Sequence, residues 1–564
     1  MKRNILKYIN ISIAAVALSL TACNDMLDTV PQGKFTPEQI NDESVEGLMA
    51  SAYAGLEAHF FGNNEAFAGP ATNWIFDVRS DDAYKGGGAT SMEENIHLME
   101  VSEITSDNVS GLDKWRNDFY AISRVHNAMT AINNSSSLSN AQQLLGELKT
   151  LRAWYYFDLI RIFNRIPYIT ENDDPNTKTN DEFTREQIYS FIKQDLTEAA
   201  DMLPASKSSE GRITRTTAQA ILAKVCAQIG DWEGVKAAAE AVINSGQYSL
   251  YKNFGDMSKI AFNNGSESIF ALQCSTVNTY SHANWSNMLN CTYSEGELYG
   301  TGDDFYLASQ NLVNAFRTNA NGLPFLDGTF NDKDVTEYYD GTIDPRLDFT
   351  VGRIGYPWRN YNYTDKWCRA YDIYGEYSNK KDWPVPEDCG KVVPWGGNAL
   401  NFMFVRYADI LLLEAEALIE TAAGSNAATD ENLVRAREIV NQIRQRAADS
   451  VDPNYEPIDI NPSKASYYVG LYPVGGDGDL FWTKERARAA VRFERRLELA
   501  MEGGRWFDLM RWGNDYLIQT MNTYMTQEAA KRPYYEGRSV SASEIFMRVP
   551  QEEIDKSNGL YKQY

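Results

Sequence analysis

Residues 214–246 read TRTTAQAILAKVCAQIGDWEGVKAAAEAVINSG, and this stretch decides the fold class. Residues 214–229 are rich in alanine, at 218, 220, 223 and 227, with apolar residues recurring at helical spacing. The chain turns at Gly230-Asp231, returns as a second helix through Trp232 to Ile243, and stops at Gly246, the position of a C-cap glycine. Small side chains on a helix face let two helices approach closely, so the stretch predicts a tight helical hairpin.

The same grammar recurs outward from it. Downstream, residues 407–420, carrying Ala408, Ala415 and Ala417, are followed after a Gly-Ser-Asn loop by a helix over 432–448. Upstream, residues 141–163 and 184–203 form a helical hairpin whose halves stop near Pro167 and at Pro204. Before them, residues 43–60 (Val45, Leu48, Met49, Ala52, Leu56) and 112–132 (Trp115, Phe119, Ile122, Val125) are amphipathic helices. Hairpins of roughly 30 to 45 residues resemble tetratricopeptide units. Long non-repeating stretches separate them, so the expected fold is mainly α: about four tetratricopeptide-like pairs forming a scaffold with insertions.

The centre, about 248–400, is composed differently. Short β-like runs such as residues 268–273 lie between Asn-, Gly- and Asp-rich turns. Within residues 356–395 stand six Tyr and four Trp, a density about three times that of the whole chain. This aromatic-rich, loop-rich region predicts a binding surface.

Composition limits the ligand. The 564 residues are 43% apolar and 23% charged, as expected of a chain that buries a core. Lys plus Arg number 53 against 77 Asp plus Glu, a net charge of −24 that repels nucleic acid and anionic lipid and favours an uncharged ligand. Residues 1–22 carry Lys2, Arg3 and Lys7 ahead of an apolar run too short to span a bilayer, and read as a signal peptide. The closing Leu20-Thr21-Ala22-Cys23 resembles a bacterial lipobox, which makes Cys23 the expected lipid attachment site. Residues 23–40 are then a tether and 41–564 a single body. Cys226, Cys274, Cys291, Cys368 and Cys389 are widely scattered with no CxxC pair, and read as mostly small packing residues.

Aromatic rings offer broad apolar faces, and Asp, Asn and Arg bring hydrogen-bonding groups of fixed geometry, together the mixture an uncharged polar ligand needs. Three segments supply that mixture. Residues 73–88 contribute Trp74, Asp77 and Asp81; residues 284–304 contribute Trp285, with Tyr293, Tyr299, Asp303 and Asp304; residues 358–395 contribute Trp358, Arg369 and Trp395, with Trp367 and Tyr371. The candidate ligand-binding residues, which are glycan-binding under the family resemblance described below, are thus Trp74, Asp77, Asp81, Trp285, Trp358, Arg369 and Trp395.

Catalysis has one candidate. Glu494, Glu498 and Glu502 share a helix face at a spacing near that of a retaining glycosidase's carboxylates. They are interleaved with Arg492, Arg495, Arg496 and Arg505, which points to bracing ion pairs instead. No HExxH, GxSxG or Walker loop occurs. Neither a catalytic nor a metal site is expected, and no cofactor, beyond a faint hint of structural calcium at Asp332, Asp334 and Glu337.

Residues 494–513, ERRLELAMEGGRWFDLMRWG, carry the strongest resemblance to a known family. With residues 151–159 (LRAWYYFDL), 406–412 (RYADILL) and 549–554 (VPQEEI), they resemble the SusD/RagB family of glycan-binding lipoproteins of Bacteroidetes over nearly the whole chain. That resemblance implies four tetratricopeptide-like pairs, no catalysis, a glycan site drawing on the N-terminal region around Trp74 and Asp77, and lid-like association with a SusC-like TonB-dependent transporter. The expectation is a lipid-anchored protein at the outer face of the outer membrane that passes oligosaccharide or polysaccharide to that transporter. The alternative is a helical-repeat scaffold whose aromatics bind a protein or peptide, with a lipoprotein glycosidase third.

Overall fold

In the computed structural model, residues 41–42, 44–57, 68–277, 283–293, 302–389, 397–451 and 460–564 are described. Helices stack in chain order: α1 (Val45–Tyr53) on α2 (Val109–Asn134), α2 on α3 (Ala141–Ile162), α3 on α4 (Arg185–Met202), α4 on α5 (Arg215–Gln228) and α5 on α6 (Trp232–Asn244). The chain then leaves the stack for about 160 residues and returns as α7 (Tyr407–Thr421), which lays itself on α6. Next, α8 (Glu431–Asp449) and α9 (Lys484–Leu499) pack on α7, and α10 (Arg505–Arg511) leads into α11 (Asn514–Glu528). This is the mainly α architecture of helix pairs with insertions that the alanine pattern predicts.

Local chemistry sets the ends. Thr184 and Thr214 close capping boxes with Gln187 and Thr217, and Asp231 accepts from the Gly234 N–H at the start of α6. Gly246, at φ 66°, takes the left-handed conformation that ends α6. Predicted to start at residue 112, α2 begins three residues earlier because Asn108 caps the Gly111 N–H at 3.1 Å. Ala218, Ala220, Ala223 and Ala227 are all buried, as close approach of α5 to its neighbours requires. Enclosed by α6, α8 and α9, α7 buries even Asp409, Glu414 and Glu416.

The irregular region contributes small two-stranded sheets. β1 (Ala83–Gly86) pairs antiparallel with β3 (Phe305–Ala308), β2 (Ser268–Leu272) with β7 (Phe402–Arg406), and β5 (Pro357–Trp358) with β6 (Tyr361–Asn362), whereas β4 (Thr342–Ile343) pairs parallel with β8 (Ser466–Tyr467). One apolar core runs from Val45 to Val549. A second core corrects the expectation for the aromatic centre: Trp358, Tyr363, Trp367 and Trp383 pack together with Cys291, Cys368 and Cys389. Trp358 lies 5.6 Å from both Tyr363, nearly parallel to it, and Trp367. Loops lack the aliphatic stripes of helices, and rings that bury a large area per residue make a core from few positions. Cys226, Cys274, Cys291, Cys368 and Cys389 are all free thiols, and burial raises the pKa of each.

Candidate functional site

The three segments singled out by the sequence meet. β1 and β3 set Gly86 opposite Phe305, and the Gly87 N–H donates to the Asp304 carbonyl at 2.8 Å. The third segment closes the junction through Arg369. Its backbone N–H donates to Asp304 Oδ2 at 2.9 Å, its guanidinium pairs with Asp303, and it lies 5.7 Å from the Tyr293 ring centroid. Gly88 eases this approach, since a Cβ there would stand 3.1 Å from Arg369 Nε and the arginine would have to give by a few tenths of an ångström. The result is a rim open to solvent: Tyr293 is 42% and Tyr371 48% exposed, and the side chains of Arg369 and Asp303 keep 28% and 31%. A phenol ring, a guanidinium and a carboxylate in contact, with the exposed Tyr371 two residues along the chain from Arg369, can stack on C–H faces and bridge hydroxyls.

Beneath the rim the backbone is strained and held. Asp304 and Tyr306 have φ of 57° and 51°, left-handed values that a bulky residue adopts only under constraint. Burial pushes the Asp304 carboxyl up to about 6, opposed by the Arg369 N–H and by the Ser378 hydroxyl at 2.7 Å. The Tyr306 hydroxyl donates to Asp77 Oδ2 at 2.7 Å and accepts from the Gly503 N–H at 3.2 Å. Tyr293, Asp303 and Tyr371 stand in segments the sequence singles out, but no pattern marks them above their neighbours.

Most of the individually chosen residues lie on the inner side of those segments. Trp74 is buried, donates its indole N–H to the Ser286 carbonyl at 3.0 Å and packs against Phe305 and Tyr306. Asp77 is buried and accepts from the Trp506 N–H at 3.1 Å; burial first, then nearby Asp82, raises its pKa to about 7. Asp81 is spent on Arg496 and Arg505, at 3.1 and 2.8 Å. Trp285 and Trp358 are buried as well. The structure therefore gives Trp74, Asp77, Asp81, Trp285 and Trp358 packing and ion-pair work, because this N-terminal wedge and the aromatic core support the rim from below. Of the seven, Arg369 stands on the rim; Trp395, like Cys23, lies outside the described residues. Asp334, one of the three calcium candidates, pairs with Lys531 at 2.6 Å and accepts from Asn314, and among the described residues no acidic or thiol cluster is placed to hold a metal.

The glutamates of 494–502 do brace the fold, but with partners other than the interleaved arginines. Glu494 pairs with Arg346 and Arg444, Glu498 with Arg346, Arg406 and Arg446, and Glu502 with Arg406 and Lys381. The interleaved arginines reach elsewhere: Arg495 to Asp409 and Asp508, Arg496 to Asp81 and Asp82, and Arg505 to Asp81. Carboxylates each shared between two or three buried cations are committed to ionic bracing, not poised as a glycosidase's acid and nucleophile.

The block lies within residues 266–564, which match the SusD family model. The chain belongs to the SusD family. A second model, described as starch-binding and associating with the outer membrane, matches residues 25–226. The curated relatives include a SusD-like protein of Bacteroides ovatus, 24% identical over 92% of this chain and 84% of the relative, and SusD-like protein P2 of Formosa agariphila, 24% identical over 90% and 91%. Among solved structures, surface glycan-binding protein A from Bacteroides fluxus superposes with a TM-score of 0.67 at 22% identity, covering 93% of this chain and 99% of that one. The Bacteroides thetaiotaomicron protein of that name, in complex with laminarihexaose, superposes with a TM-score of 0.65 at 20% identity over 93% and 99%. These SusD-like structures bear the names of binding proteins, not of enzymes.

Proposed function

We propose that this SusD-family chain captures an oligosaccharide on the rim of Tyr293, Asp303, Arg369 and Tyr371 and hands it to a partner TonB-dependent transporter. A lipid on Cys23 would hold it at the outer face of the outer membrane. The observation that carries this reading is the convergence of three distant segments on Arg369, which pairs with Asp303 beside the solvent-open ring of Tyr293. The outer-membrane description of the matching family model and the laminarihexaose complex of a structural relative support it. Trp395 remains a candidate, since Cys389 and Asn398, on either side of its segment, pair with each other and Asn398 also pairs with Asn284 of the second segment.

Calorimetric titration with laminarihexaose and a panel of other neutral oligosaccharides tests the rim. Arg369→Ala, Tyr293→Ala and Trp395→Ala are each expected to weaken binding by roughly tenfold, the worth of one stacked ring or charge-assisted hydrogen bond. Saturable binding that all three leave unchanged would move the site elsewhere. Incorporation of labelled palmitate, abolished in Cys23→Ala, tests the anchor, and co-purification of an outer-membrane barrel with the tagged protein tests the partner.

A further inference from the structure

A cavity of about 450 Å³ opens between α9, α11 and the loop at 326–331. Its lining differs from the rim in one respect that bears on ligand charge. Arg495, Arg496, Arg505 and Arg511 each close ion pairs with acids of the chain. Arg492, which lines the cavity, makes no hydrogen bond or ion pair among the described residues, and its Nε is buried without a partner. What positions it is stacking: its guanidinium carbon lies 5.0 Å from the Trp512 ring centroid and 5.1 Å from that of Tyr516, two rings set edge-on at 5.8 Å. Cation–π contact holds the guanidinium beside the two rings and leaves its N–H donors unspent. Of the acids around it, Glu416 and Glu420 are held by Arg511 and Arg488, and, of those lining the cavity, Asp81 is held by Arg496 and Arg505 while Asp327 accepts from the Thr329 N–H and hydroxyl.

The rest of the cavity suits a sugar ring. Phe330 and Phe493, 5.6 Å apart, form an apolar wall, while Gln519, Thr520 and Asn331 line it with amides and a hydroxyl. Its volume falls within the range of small-molecule sites. We infer that this cavity is a second ligand site, separate from the rim, that takes a carboxylate-bearing sugar such as a uronic acid residue of a glycan. The carboxylate meets the unspent Arg492 fork in the bidentate geometry the two planar groups share, and a C–H face of the ring rests on the Phe330 and Phe493 wall. With a net charge of −24 the protein does not gather anions from a distance, so selection rests on this short-range contact.

Ligand-observed NMR titration of the full-length protein in detergent, with glucuronate, glucose and acetate as probes, tests the inference. Glucuronate is expected to bind at least tenfold more tightly than either of the others, and Arg492→Gln to erase that difference while laminarihexaose binding stays as it was. Glucuronate no tighter than glucose, or an Arg492→Gln protein that still prefers it, overturns the site; acetate as tight as glucuronate overturns the sugar. A second measurement needs no variant: phenylglyoxal labelling of Arg492, read by peptide mass spectrometry, should be suppressed by glucuronate and not by glucose, and equal labelling in both overturns the proposal.

Discussion

Replacing Glu498 with glutamine unbalances the charge at the centre of the molecule. Ten residues are linked by ion pairs here: the cations Arg346, Lys381, Arg406, Arg444 and Arg446 and the anions Glu267, Asp344, Glu494, Glu498 and Glu502. Five of each sign make the network neutral, and all but the partly exposed Glu502 are nearly solvent-free. Glu498 is its hub, with Arg406 at 2.7 Å, Arg346 at 3.0 Å and Arg446 all on its two oxygens. Burial alone would raise its pKa, yet these guanidinium groups hold it far below the carboxylate range. Each contact is worth about 4 kcal/mol gross at an effective dielectric of 20, most of it offset by desolvation. Removing one member leaves an uncompensated buried cation, at a cost of about 3–5 kcal/mol. Spread over a chain of this size, 1 kcal/mol lowers the melting temperature by about 1 °C, so Glu498→Gln should melt about 3–5 °C lower by circular dichroism. Restoring neutrality in Glu498→Gln/Arg446→Met should recover part of the loss, a positive coupling in the double-mutant cycle. The pH dependence has a definite sign. A carboxyl with a depressed folded pKa stabilises fully above its unfolded value near 4.3 and loses that contribution as pH falls, so wild type should lose more stability than Glu498→Gln between pH 5 and 3. A melting temperature within 1 °C of wild type, or strictly additive singles, would refute this account of the network.

Asp77 should show the opposite slope: with its folded pKa pushed up to about 7, the folded state holds an extra proton between about pH 4 and 7 and loses stability as pH rises. Asp77→Asn is expected to flatten that fall, worth roughly 4 kcal/mol at most, and parallel melting curves from pH 5 to 8 would count against it. Trp358→Ala opens the second core at a cost of about 3–5 kcal/mol; a disulfide-exchange reagent should then label Cys291, Cys368 or Cys389 in the variant well ahead of wild type. Gly246→Ala, which meets no neighbouring atom but must adopt a φ of 66°, should cost about 1–2 kcal/mol, read as a melting shift of one or two degrees.

How much of this was legible beforehand depended on the range of each interaction. Helix pairs are written in local periodicity and caps, so Ala218 to Gly246 and its counterparts could be read as hairpins, and the threonine caps at 184 and 214 lie within three residues of the groups they satisfy. That α7 would return to lie on α6 was not legible, because nothing in residues 407–421 records a neighbour so far upstream. The glutamates of 494–502 are a mixed case. Their ionic role followed from the alternation of acid and base, but their partners lie as far as 52 and 152 residues away in Arg446 and Arg346, and no spacing rule reaches that far.

The aromatic segments mark the physical limit most clearly. Composition reports how many rings a loop region holds, while a binding surface depends on which way each ring faces. In a helix or strand a period of 3.6 or 2 separates the two faces; residues 358–371 have no such period, so Trp358 and Tyr371 look alike in sequence although one is fully buried and the other 48% exposed. Arg369 could be picked because it stands between two aromatics, and its pairing with Asp303 beside Tyr293 makes it the residue where the three segments join. Arg492 shows the same limit from the other side. Sequence presents it as one more arginine in a block that balances charge; only the pairing of Glu416 and Glu420 with Arg511 and Arg488 leaves its fork unspent. A residue's availability for a ligand is thus set by how its neighbours pair: Arg511 and Arg488 hold the acids near Arg492, just as Arg346, Arg406 and Arg446 leave Glu498 no role but an ionic one.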